Sequence, residues 1–317
     1  MKKLFFTLGA LLVVATLVFV GCSKSKEATV NKFITVQDGT LVAKDMPTAS
    51  SDVDIEVTMN KKVIPGGSSI VNVDSPVTVQ KVYVGVENEF GYYEWIPTGT
   101  TYEFVIHVNQ DIVLAEDEDE FVVLVSILDS NGKVSEVEEK SVELIDVGTG
   151  MLQISLSFDN AKDVDLHVIE PEQVDENGDS LSYYSRHIYY GHRTSYNGGH
   201  LDLDSNPGCS IDNINNENVT YEDEAYVAPG LYTVYAVMYS NCDPSVATNY
   251  VVSAYYGGAL LKTVTGTFPV DAPSTGSNLT IVEPAMTFVI PNRGQFRTKT
   301  FAPEPLTESA MEKMSME

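Results

Sequence analysis

Between residues 33 and 290 apolar side chains recur at every second position, and that spacing leaves the chain few options for a fold. Ile55, Val57 and Met59 alternate with Asp54, Glu56 and Thr58. Val82, Val84 and Val86 alternate with Tyr83 and Gly85, and Tyr102, Phe104, Ile106 and Val108 with Glu103, Val105 and His107. Successive side chains of a strand point to opposite faces, so each run has one face for a core and one for water. No convincing amphipathic helix interrupts this first stretch. Phe121 to Leu128 is an unbroken apolar run short enough for a central strand, and Asp129-Ser130-Asn131-Gly132 then reads as a hairpin turn leading to Val134 and to Val142–Ile145. Roughly seven short strands in about 115 residues is the count of an immunoglobulin-like sandwich. It has no cysteine pair, so only its packed core holds it.

Gly148-Thr149-Gly150 reads as the linker to a second module. There Leu152, Ile154, Leu156 and Phe158 alternate with polar residues, and Val164, Leu166 and Val168 with Asp163, Asp165 and His167. Leu231–Tyr239 and Tyr250–Tyr256 are valine- and tyrosine-rich strands, and Gly257-Gly258 turns the chain into Leu260–Phe268. Thr280–Val282 and Met286–Ile290 add one or two more. The expectation is an all-β chain of two tandem β-sandwich domains, at 32–148 and 151–290. The polar tail at 291–317 reads as disordered, or as one weak helical turn at Leu306–Met314.

The first residues impose a location. Met1-Lys2-Lys3 is a short positive segment, and Leu4 to Val20 is nearly all apolar, about 17 residues. That is marginal for a permanent span and suited to a cleaved signal peptide, here residues 1–21. Phe19-Val20-Gly21-Cys22, followed by Ser23-Lys24-Ser25-Lys26, resembles the lipobox of bacterial lipoproteins, with Phe19 where leucine is usual. The resemblance implies cleavage before Cys22, a diacylglycerol on its thiol and an acyl chain of the palmitate type on its freed amine. Residues 22–31 then form a lipidated tether. Each buried methylene contributes about 0.8 kcal/mol, so two or three chains hold a protein stably at a membrane. The alternative is an uncleaved anchor helix. Ser23 is not the aspartate that favours inner-membrane retention, which points to an outer membrane lipoprotein and leaves the periplasmic or cell-surface face open.

An oxidising compartment suits the two remaining cysteines, Cys209 and Cys242. Paired, they close a loop of about 33 residues and contribute on the order of 3–4 kcal/mol; the alternative is two separate buried thiols. The formal net charge is −26, and no basic stripe interrupts it. Such a surface repels nucleic acid. It suits cations, cationic partners or solubility alone. The acidic run Glu116–Glu120 reads as a solvated loop.

Asp163-Val164-Asp165-Leu166-His167-Val168 with Glu170-Pro171, then Gly198-Gly199-His200-Leu201-Asp202-Leu203-Asp204, Ile211-Asp212-Asn213-Ile214, Pro229-Gly230-Leu231-Tyr232-Thr233-Val234 and Tyr255-Tyr256-Gly257-Gly258 follow one another in an order and spacing similar to the bacterial YfaP-like domain of unknown function. The resemblance covers about residues 151–270. This chain departs from it in the insert Glu172–Tyr184, in Cys209-Ser210 and in Asp212. It implies an exported sandwich of jelly-roll type, often joined to other exported domains, and no known catalysis.

The same residues suggest chemistry on their own. Asp163 and Asp165 share one strand face, and so do Asp202 and Asp204. If the two strands lie side by side, four carboxylates converge on the water side, and a cation among them relieves their repulsion. Calcium, a hard ion taking six to eight oxygens, fits such a set, with Asn206, Asp212 and Asn213 completing the shell. The alternative is ordinary polar and turn positions in an acidic chain. Tyr183, Tyr184, Tyr189 and Tyr190, with Tyr196, cluster near the insert and can offer ring faces to a glycan, or simply pack as strand tyrosines. His167, His187, His192 and His200 lack the tight spacing of a zinc site. No nucleophile elbow, metalloprotease helix, phosphate loop or dinucleotide fingerprint is present. The expectation is therefore a non-catalytic, calcium-stabilised binding or structural module that meets a protein or glycan partner at the cell envelope. A glycan-binding surface lipoprotein is the alternative, and a secreted hydrolase the more distant one.

Overall fold

The computed structural model describes residues 26–292; the leader, Cys22 and residues 293–317 of the tail lie outside them. Among the described residues there are strands and short 3-10 turns and no α-helix. The first half holds β1 (Ile34–Val36), β2 (Thr40–Val42), β3 (Glu56–Thr58), β4 (Lys62–Val63), β5 (Ser68–Asp74), β6 (Val79–Val86), β7 (Tyr92–Trp95), β8 (Glu103–Val108), β9 (Glu120–Asp129) and β10 (Glu138–Leu144). They form a four-stranded sheet, β1-β8-β5-β3, and a six-stranded one, β2-β7-β6-β9-β10-β4. β4 joins β10 in parallel, and the other pairs in both sheets are antiparallel. Alternate residues meet between the sheets in a valine- and isoleucine-rich core that includes Val71, Val82, Val84, Ile106, Val123, Val125 and Ile127. β-Branched side chains are stiff and suit a pleated surface.

The second half holds β11 (Leu152–Phe158), β12 (Asp163–Ile169), β13 (His187–Ile188), β14 (His200–Leu203), β15 (Asn216–Tyr221), β16 (Gly230–Ser240), β17 (Thr248–Tyr256), β18 (Ala259–Phe268) and β19 (Met286–Ile290). A five-stranded sheet, β14-β15-β11-β17-β18, faces a four-stranded one, β13-β12-β16-β19. Residues 279–281 form a 3-10 turn instead of a strand. Asn278 accepts a hydrogen bond from the Thr280 N–H on its side-chain oxygen, and that local turn competes with pairing.

The two sandwiches are docked, and polar side chains do the docking. Gln153, Ser155 and Ser157 alternate with the core residues of β11, yet every residue of that strand is buried. Their face lies on the chain around β5. The Ser155 hydroxyl donates to the Gly66 carbonyl (2.8 Å), and the Ser68 N–H donates to the Ser157 hydroxyl (3.0 Å). The Gln153 amide donates to the Pro65 carbonyl (2.7 Å) and accepts from Gln110 (2.8 Å). Gly66, at φ +71°, leaves no room for a side chain: a Cβ there would lie 2.4 Å from Gln153 Oε1. Ile70, Val105 and Val251 add a small apolar patch across the seam. The linker is held too. Gly148 N–H donates to Asp202 (2.6 Å), and the Gly148 carbonyl accepts from Asn218 (2.8 Å).

Candidate metal centre

Asp163, Asp165 and His167 project from the outer face of β12, as alternation requires, while Val164, Leu166 and Val168 enter the core. That outer face is not wet. Asp163, Asp165 and His167 are all buried; the loop after β14 meets Asp163 and the Tyr189 ring lies on His167. β12 and β14 do not lie side by side either: they belong to opposite sheets. The carboxylates meet across the open edge of the sandwich, through a residue the sequence reading did not single out. Glu217, on β15, is directed to the core side in register with Leu156. Its Oε2 accepts a hydrogen bond of 2.6 Å from the Leu166 N–H, which β13 leaves free by pairing only with Val168 and Ile169.

Asp165, Asp204 and Glu217 each place a carboxylate oxygen within 4.8 Å of the other two. Asp165 Oδ2 and Glu217 Oε1 are buried and have no hydrogen-bond partner. Three charges at that spacing repel by about 3–4 kcal/mol per pair at an effective dielectric constant near 20. Burial, with the repulsion of neighbouring carboxylates second, pushes Asp163 and Asp165 up to about 7 and Glu217 well above the usual carboxylate range. Burial also raises Asp204, against the opposing pull of Arg193, whose Nη1 lies 3.8 Å from it. Either protons or a cation must sit among these oxygens.

Of the residues expected to build the site, Asp165 and Asp204 come together, and Asp163 stands beside them with Oδ2 accepting from Gly208 N–H (2.8 Å). Asp202 goes elsewhere. A bulge between Leu201 and Leu203 breaks the alternation, and the Asp202 carboxylate accepts from Gly148 and Asn218 to fasten the linker. Asn206, Asp212 and Asn213 are turn residues. Asn206 and Asn213 occupy the left-handed region (φ 58° and 59°), and Asp212 accepts from Ser205, Asn206 and Ile214. They shape the loop that carries Asp204 and stay out of the carboxylate set. A disulfide joins Cys209 in this loop to Cys242 beyond β16. Close by, Lys162 is buried and donates from Nζ to Asn241 Oδ1 (2.5 Å), to the Val246 carbonyl (2.9 Å) and to the Asp243 carbonyl.

His167 faces the centre without joining it. Its Nε2 has no hydrogen-bond partner and lies 3.7 Å from Asp165 Oδ2, while its Nδ1 shares a 2.8 Å hydrogen bond with His187 Nε2. Burial lowers His167 to about 4 and His187 to about 3, so both rings are neutral at pH 7. Tyr189 stacks on both rings, with centroids 5.0 and 4.4 Å away, and Tyr190 meets Tyr189 and Tyr239 edge-on. Tyr183 and Tyr184 are exposed, resting on His187 and His192 respectively. Tyr183, Tyr184 and Tyr189 thus roof the histidines. Glu217 escaped the sequence reading because Asn216-Glu217-Asn218 looks like loop; only its place two residues before Val219 and four before Tyr221, both core residues, marks it as inward-facing.

No family model matches the chain, and no curated protein does. Among solved structures, a mutant SrpA adhesin from Streptococcus sanguinis is 13% identical at a TM-score of 0.22, over 30% of this chain and 60% of that one. A cohesin module from a Clostridium perfringens family 33 glycoside hydrolase is 10% identical at 0.21, over 30% and 98%. Fibronectin(III)-like modules of Clostridium thermocellum CbhA are 8% identical at 0.20, over 68% and 92%.

Proposed function

We propose that this chain is a lipid-anchored, extracytoplasmic module protein, non-catalytic, whose second sandwich is clamped by calcium at Asp165, Asp204 and Glu217. The carrying observation is the pair of buried, partnerless oxygens, Asp165 Oδ2 and Glu217 Oε1, in a set of three carboxylates within 4.8 Å. The donors are all hard oxygens, which favours calcium over softer ions. A cation there ties the edge of the five-stranded sheet to β12, so its role is to stiffen. The deep burial of Asp165 and Glu217 argues against a substrate reaching them. The anchor rests on Cys22 and its preceding apolar run, and the same reading places the protein at the outer membrane, facing either the periplasm or the cell exterior.

Calorimetric titration tests the metal. Calcium binds the intact protein with one site, and Asp165→Asn and Glu217→Gln each weaken it at least tenfold; heat-silent titration of the folded wild type contradicts the reading. Metabolic labelling with a palmitate analogue tests the anchor. Label enters the wild type and is absent from Cys22→Ala.

A further inference from the structure

A groove of about 490 Å³ runs along the seam between the sandwiches, within the size range of small-molecule sites. The first sandwich supplies one wall, with Trp95, Ile96, Phe104 and Gln37; the second supplies the other, with Asn249 and Tyr250. The groove exists only because the polar interface holds the two halves in one pose.

Its walls are preformed. Gly266 lets the Tyr250 ring lie against β18, since a Cβ there would come within 2.3 Å of the ring. Tyr250 also packs on Phe268 at 5.0 Å, and Trp95 on Phe104 at 5.0 Å. Asn249 is fixed from two sides: it donates to Asp159 Oδ2 (3.0 Å) and accepts from Thr267 (2.7 Å). Ile96 stands 62% exposed at the lip, a large apolar side chain with no cover. The Gln37 side-chain oxygen is buried in the wall without a hydrogen-bond partner. Buried carbonyl oxygens are normally satisfied, so this one marks a place for a donor.

We infer that this seam binds a neutral, hydroxyl-rich saccharide. The partly buried Tyr250 ring and the exposed Ile96 side chain, backed by the Trp95–Phe104 pair, offer apolar surface to the C–H face of a sugar ring. The amides of Gln37 and Asn249, the hydroxyls of Thr98, Thr265 and Thr267, and the Glu103 carboxylate offer partners for its hydroxyls. No lysine, arginine or histidine lines the groove, and the chain carries −26, so uronates and sulfated glycans are excluded by charge. A cationic peptide would use Asp38 and Glu103 and leave the amides and threonines idle. The first sandwich is then half of a binding site.

Trp95 is the only tryptophan of the chain, so its fluorescence reports on this groove. The full chain is titrated with neutral gluco-, galacto- and manno-oligosaccharides, with an oligouronate and with oligolysine. A saturable change in emission is expected with a neutral oligosaccharide and not with the other two. Ile96→Arg, at an exposed position, weakens that binding at least tenfold, and Gln37→Ala weakens it several-fold. Tyr184→Ala in the insert leaves it unchanged, as does Glu217→Gln, so this inference and the calcium reading fail separately. No response to any neutral sugar overturns it. So does equal binding by Ile96→Arg, or a response to oligolysine alone.

Discussion

The two sandwiches solve the same packing problem by different means. The first fills its interior with aliphatic and aromatic residues, and Asp129 is its one buried carboxylate among the described residues. The second buries Asp163, Asp165, Glu170 and Glu217 together with Lys162, His167 and His187, and adds a disulfide. Buried charges are costly unless they are paired, hydrogen-bonded or bound to a cation. A module that keeps so many holds its shape through a few directional contacts, and it is vulnerable wherever one is cut. The first keeps only Asp129 and His107 of this kind among the described residues.

That contrast breaks most visibly at Glu170. Its carboxylate accepts from Ser195 (2.5 Å), Asn197 (2.6 Å) and Tyr221 (2.9 Å), which ties residues 195–197 and β15 to the end of β12. Glu170→Ala leaves three donors without an acceptor and destabilises the second sandwich by about 3–5 kcal/mol. Denaturant unfolding followed by the near-ultraviolet signal of the second sandwich's tyrosines falls to a lower midpoint, while Trp95 fluorescence keeps its own. A single shared midpoint would mean that the two halves unfold as one and that the contrast is only descriptive.

A smaller effect sits at the seam. Gln153→Ala removes the donor to Pro65 and the acceptor for Gln110, at a cost of about 1–3 kcal/mol. Both cores stay intact. The expected result is a wider spread of inter-module distances in solution scattering with little change in circular dichroism.

The regions also respond to pH with opposite signs. In the calcium-free protein, Asp163 and Asp165 titrate near 7, above their unfolded value near 3.8. Their contribution is fully present below the unfolded value and is lost as pH rises through about 7. His107, at the seam, is lowered by burial to about 4. Its contribution is present above its unfolded value of 6.5 and is lost as pH falls through about 4. His167 and His187 share the histidine sign and partly mask the carboxylates, so variants separate the two. Chelated Asp165→Asn loses less stability than chelated wild type between pH 5 and pH 8. His107→Gln loses less than wild type between pH 6.5 and pH 4. Parallel profiles for wild type and Asp165→Asn would deny that the cluster is strained.

Much of the fold was legible because most strands obey simple alternation. β6, β8, β11 and β12 can be read from apolar residues at every second position, β9 from its unbroken apolar run, and β16 to β18 from valine- and tyrosine-rich stretches and a Gly-Gly turn. The facing of β14 and the existence of β15 were not legible. A bulge breaks the first, and the second puts glutamate at an inward position between two asparagines. The outward residues of β11 and β12 were identified as polar faces, but a polar face can meet water, another polar face or a covering loop, and alternation does not say which. For Gln153 and Ser155 it is a neighbouring sandwich; for Asp163 it is the disulfide-tied loop. The candidate site was half legible for the same reason. Paired aspartates are visible along a strand, but convergence across two sheets depends on which edge β13 leaves open.

The central claim is that a cation replaces protons among Asp165, Asp204 and Glu217. Thermal melting at pH 7.5, with calcium at a hundred times its dissociation constant and then with excess chelator, tests it most directly. The second sandwich should gain about 2.7 kcal/mol with calcium and lose it with chelator, and Glu217→Gln should show neither change. An identical melting temperature in both conditions for the wild type would contradict the claim.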